Sequence, residues 1–81
     1  MPKLRVLSGK DVVAILENCG FLVQAQQGRH IKLRRLLFDG TRQSLTVPNH
    51  RELDRGSLQA IYRQALRFIP EPELRPQFFS E

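Results

Sequence analysis

The sequence predicts an α+β fold in the order α-β-β-β-α, with two helices on one face of a three-stranded antiparallel sheet. Three observations carry that expectation. Two segments, one on either side of the middle of the chain, repeat apolar residues at helical spacing. Between them lie runs with period-two alternation. Those runs are separated only by Gly28 and by residues 39–42, which open on Asp39-Gly40, connections too short for anything but antiparallel pairing. A two-layer packing buries both helical stripes and leaves the far sheet face wet.

The first helix opens at Ser8-Gly9-Lys10-Asp11, where Ser8 is the cap and Asp11 completes a capping-box pattern. Val12, Ile15, Leu16 and Cys19 form its apolar stripe, and Gly20 stops it in a left-handed turn. Cys19 lies on that stripe without a basic neighbour, as a small core hydrophobe. The first strand runs from Phe21 to Gln27, with Phe21, Val23 and Ala25 on one side. The second runs from Arg29 to about Phe38. There Ile31, Leu33 and Leu37 point inward, while His30, Lys32 and Arg34 share the other face. The third covers Gln43 to Val47, with Leu45 and Val47 inward, and ends at Pro48. Asp54 caps the last helix, whose apolar face is Leu58, Ile61, Tyr62, Ala65, Leu66 and Ile69. Arg55, Gln59, Arg63 and Arg67 step along another face. Pro70 and Pro72 end it, so residues 1–69 read as one domain and residues 70–81 as a C-terminal tail open to disorder.

The chain has 81 residues with 41% hydrophobic and 26% charged, a small globular domain. Such a core has little room for a cofactor pocket, and none is expected. One Cys excludes an intramolecular disulfide and any Cys-based zinc cage. No apolar run is long enough to span a membrane, and the N-terminus lacks a signal-peptide core, so a cytoplasmic protein is expected. The net charge of +5 divides into +7 over residues 1–69 and −2 over residues 70–81. A compact basic body suits a polyanion, RNA or DNA first, although an acidic protein fits the same field.

On the face expected to be wet, His30 is accompanied by Lys32 and Arg34, with Arg29 and Arg35 nearby. Neighbouring positive charge disfavours the imidazolium, which suits a His to accepting a proton. RNA offers such a base its 2′-hydroxyl, and the cations would stabilise charge developing on phosphate. A solvated strand His with no chemical role is the other reading. His50, after Val47-Pro48-Asn49, is either a second acid/base group or a residue that positions backbone. Two His in different segments, without a third ligand at recognisable spacing, do not suggest a metal site.

The ordered motifs Ser8-Gly9-Lys10, Cys19-Gly20-Phe21, Gln27-Gly28-Arg29-His30, Leu45-Thr46-Val47-Pro48-Asn49-His50, Glu52-Leu53 through Gly56-Ser57-Leu58, and Ile61-Tyr62-Arg63-Gln64-Ala65 resemble the HicA toxins over roughly residues 7–68. The resemblance implies a double-stranded-RNA-binding-domain-like fold and a metal-independent endoribonuclease that cleaves mRNA as the toxin of a toxin–antitoxin pair. It carries the catalytic role onto His30 and the adjoining motif position onto Gly28. Arg29 stands where the family has Ser, and either strengthens phosphate binding or obstructs the approach to the His. Arg29, Lys32 and Arg34 are the expected RNA contacts. Arg55, at the start of the second helix, joins them through the helix N-terminus. His50 is a possible secondary group. The implied partners are mRNA and a HicB-type antitoxin that covers the same face. The alternative is a non-catalytic module of the same fold that binds RNA or the antitoxin.

Overall fold

A computed structural model describes residues 2–80. Its elements are β1 (Lys3–Leu4), α1 (Gly9–Asn18), β2 (Leu22–Gln27), β3 (His30–Leu36), β4 (Arg42–Pro48), α2 (Arg55–Ala65), α3 (Glu71–Phe78) and β5 (Phe79–Ser80). The central α-β-β-β-α order is the expected one, with β2, β3 and β4 forming an antiparallel meander in that order.

Local signals account for the helix starts. Ser8 Oγ accepts from the Asp11 N–H at 3.0 Å, and Asp11 Oδ2 accepts from the Ser8 N–H at 2.9 Å, so the capping box is closed in both directions. Asp54 Oδ2 accepts from the Ser57 N–H at 3.0 Å, and its Oδ1 from the Ser57 hydroxyl at 2.7 Å. Gly20 closes α1 with a φ of 95°.

The helices bury their stripes on the inner face of the sheet. Val12, Ile15, Leu16 and Cys19 of the first helical segment and Leu58, Ile61, Tyr62 and Ala65 of α2 share one core with Ile31, Leu33, Leu45 and Val47. Strand β2 contributes less than expected. All six of its residues are exposed, and the pairing with β3 shifts register between Val23 and Ala25. Gln24 is the extra residue of a bulge, which bends this edge strand and breaks the alternation. Phe21, expected as the first residue of this strand, precedes it and is fully buried.

The expectation of a disordered tail is corrected for residues 70–80. Segment 71–78 is a helix, and Leu74 and Phe78 are completely buried. Pro72 lies in the first turn, where a missing N–H costs no intrahelical bond, and Glu71 and Glu73 complement the helix dipole there. The composition that suggests disorder is therefore also that of a helix start. Tyr62 receives the Phe78 ring at 5.3 Å and the edge of Phe79 at 5.1 Å. Strand β5 then pairs antiparallel with β1, Lys3 opposite Ser80 and Leu4 opposite Phe79. Glu81 lies outside the described residues.

Candidate functional site

Because β3 is central, residues opposite one another on β2 and β4 share its faces. On the outer face His30 stands opposite Gln27 and Pro48, Lys32 opposite Ala25 and Thr46, and Arg34 opposite Leu22 and Ser44. Ala25, Gln27, His30, Lys32 and Thr46 line a shallow depression of about 270 Å³. The structure thus brings His30 and Lys32 together on an open surface. Gln27 and Thr46, an amide and a hydroxyl beside them, are additions that sequence reasoning missed. Period-two alternation puts Gln27 on the side of Phe21, and the bulge at Gln24 turns it and Ala25 outward, so only the register across strands shows which residues are neighbours.

The turn before His30 is held from two sides. Gly28 has a φ of 57°, a left-handed conformation that favours glycine, although a Cβ there would meet nothing within 4 Å. Arg29 is exposed, and its carbonyl accepts from the Asn49 N–H at 2.6 Å. The Arg29 side chain is not among those lining the depression, so it does not fill the approach to His30.

Arg34 is half-buried on the same face, and its Nε is closed to solvent with no acceptor among the described residues. Arg35, expected near the wet face, points the other way. Its guanidinium lies 4.9 Å from the Phe21 ring centroid. It donates to the Cys19 carbonyl at 2.8 Å, the Phe68 carbonyl at 2.7 Å and Gln43 Oε1 at 2.8 Å. It therefore ties the chain leaving α1 and the chain leaving α2 to the sheet.

His50 is exposed and lines a different depression, of about 360 Å³, with Ser8, Lys10, Asn49 and Arg51. It does not line the His30 depression. Its backbone carbonyl accepts from the Gly9 N–H at 2.8 Å. A Cβ at Gly9 would collide with the Pro48 carbonyl oxygen and stand 2.9 Å from Asn49 Cα. The Ser8-Gly9 and Pro48-Asn49-His50 motifs are thus two halves of one close backbone contact. Arg55 is exposed on the first turn of α2 and lines neither depression.

Hydrogen bonds from Ser57, its hydroxyl first, hold the Asp54 carboxyl below the usual carboxylate range. The Ser8 backbone N–H does the same for Asp11, with the Ser8 hydroxyl second. Burial pushes the Cys19 thiol up, against a nucleophilic role. Among the described residues no three or more His, Cys, Asp or Glu gather as metal ligands would. No helix among them is long and apolar enough to cross a membrane.

Residues 9–66 match the profile of a family described as HicA toxin of bacterial toxin-antitoxin. No curated protein and no solved structure gives a match.

Proposed function

Since this chain belongs to the HicA toxin family, we propose that it is an endoribonuclease toxin that cleaves mRNA at the outer face of its sheet, with His30 as the acid/base group. The observation that carries this reading is the placement of His30 and Lys32 in one open depression on the sheet. An RNA strand lies across an open face without needing a cavity.

In this mechanism His30 takes the proton from a ribose 2′-hydroxyl. The freed oxygen forms a bond to the adjacent phosphorus, and the bond from phosphorus to the 5′-oxygen breaks. The departing oxygen takes a proton from solvent water, the protonated His30 returns its proton to the resulting hydroxide, and a 2′,3′-cyclic phosphate is left. No redox change and no metal-bound intermediate enter these steps. Lys32 stabilises the charge on the phosphoryl oxygens, and Arg34 and Arg29 extend the cationic track along the strand. Gly28 keeps the turn in the conformation from which His30 starts β3. Arg55 contacts a more distant phosphate. His50, in a separate depression, supports the fold through its backbone and takes no proton in this scheme. A HicB-type antitoxin would inhibit by competing for the same cations in the cytoplasm.

Incubation of the protein, freed of antitoxin, with single-stranded RNA in excess EDTA tests this. His30→Ala should lower the cleavage rate at least about 100-fold while RNA affinity persists. Equal cleavage by both proteins would remove His30 from the mechanism. Salt-sensitive binding with no cleavage by either would favour a non-catalytic RNA-binding module.

A further inference from the structure

The outer face has two chemically different ends. His30 opens β3 and Leu36 closes it, so the strand separates them by about 20 Å. Around His30 lie the polar side chains of Gln27, Lys32 and Thr46. Around Leu36 large apolar side chains stand bare to solvent. Leu22 is 64% exposed, Leu36 67% and Phe38 fully so, an unusual concentration of bare large side chains in a chain this small. Leu22 stands opposite Arg34, two residues from Leu36 on the same face of β3, which makes the two leucines diagonal neighbours. Leu36, Leu37 and Phe38, together with Arg35, line a depression of about 380 Å³ at the hairpin.

The side chains that edge this patch on the sheet are arginines. Arg34 flanks Leu22, and Arg42 stands opposite Leu36. The nearby carboxylate, Asp39, is already engaged by the Thr41 N–H at 2.8 Å within the turn. Arg34 also carries the Nε that lacks an acceptor. An apolar centre with an arginine rim is the composition of a protein–protein interface. A second copy of this chain would bring arginines against arginines. An RNA strand would find a stacking partner in Phe38 alone and would leave Leu22 and Leu36 bare.

We propose that the hairpin end of the outer face, built on Leu22, Leu36 and Phe38 and edged by Arg34 and Arg42, is the docking surface for a segment of the antitoxin that carries apolar side chains flanked by carboxylates. The proposal rests on the toxin reading for the kind of partner. The antitoxin is anchored by contacts RNA does not make, and reaches the His30 end from there. Its binding is accordingly less sensitive to salt than RNA binding, which depends on phosphate contacts.

Leu36→Ser with Phe38→Ser, and separately Arg42→Glu, test the surface. Both sets of side chains are solvent-exposed, and far-UV circular dichroism with a thermal midpoint verifies that each variant is folded. Titration with the purified cognate antitoxin should show affinity at least about tenfold weaker for each variant. RNA affinity and cleavage should stay within about twofold of wild type for the double serine variant. Antitoxin affinity unchanged in both variants would overturn the proposal. RNA affinity falling in parallel would assign the patch to nucleic acid instead, and loss of a self-associated species in sedimentation would assign it to a second copy. The His30→Ala protein, titrated alongside, separates the two ideas: retained cleavage there removes the catalytic reading and leaves the antitoxin titration to decide this one.

Discussion

Replacing Arg35 by Met should cost more stability than any other exchange of a basic residue on the sheet. Each carbonyl left without its donor costs about 1–3 kcal/mol, and Arg35 serves those of Cys19 and Phe68. A Met side chain keeps aliphatic cover over Phe21, so little packing is lost. Arg35 is half-buried, and water reaching the vacated space brings the total down to about 2–3 kcal/mol. Against a total of about 4–12 kcal/mol for a domain of this size, that is a large share. The assay is urea unfolding followed by far-UV circular dichroism, because the chain has no Trp. At a slope near 1 kcal/mol/M the midpoint should fall by about 2–3 M. Arg34→Met is the control. Its Nε holds no acceptor, so its loss should shift the midpoint by less than about 0.5 M. An Arg35→Met protein within 0.5 M of wild type, by the same approximate slope, would refute the bracing role assigned to this guanidinium.

Two other perturbations follow from the packing and the caps. Phe78→Ala empties a fully buried site against Tyr62 and should destabilise by about 3–5 kcal/mol; a thermal midpoint unchanged from wild type would show that α3 adds nothing to the core. Acid should also weaken the fold. Asp11, Asp39 and Asp54 have carboxyls held below their ordinary values by hydrogen bonds from Ser8, Thr41 and Ser57. The unfolded chain therefore binds protons first as pH falls, so the stability these groups contribute is full above about pH 4 and is lost progressively below it. Urea midpoints measured against pH should show that slope, flattened when all three are changed to Asn, which still accepts a hydrogen bond but does not titrate.

Short-range signals were sufficient for most of the fold. The capping box at Ser8 and Asp11, the stripe through Val12, Ile15 and Leu16, and the Asp39-Gly40 turn each act within a few residues, so the chain displays them directly. What failed was contact at a distance. Leu74 and Phe78 stand four apart, a helical signal, but it is Tyr62, distant in sequence, that Phe78 packs against. Strand β2 alternates in sequence, yet a bulge at Gln24 and an edge position cancel the burial that alternation implies. Arg35 was legible in one respect, since alternation puts it on the side of Ile31 and Leu33; its charge argued the other way until two helix ends offered carbonyls. For the site, face assignment was readable for His30, Lys32 and Arg34. Their neighbours Gln27 and Thr46, and the separation of His50, depend on register and loop path.

The pairing of β1 with β5 has a consequence for how the molecule comes into being. Arg5 donates to the carbonyls of Phe78 and Gln77, at 2.8 and 2.9 Å, across nearly the whole chain. Contacts of such separation form late, because the intervening chain must first be ordered. On the ribosome, the segment around His30 emerges well before Leu74 and Phe78 can fill their places. The core stays open until residues 74–80 have been made, so the nascent chain passes through a stage in which its site is synthesised but not yet supported. For a protein proposed to act on messages, the His30 face would then gain its support only once residues 74–80 have been made and packed.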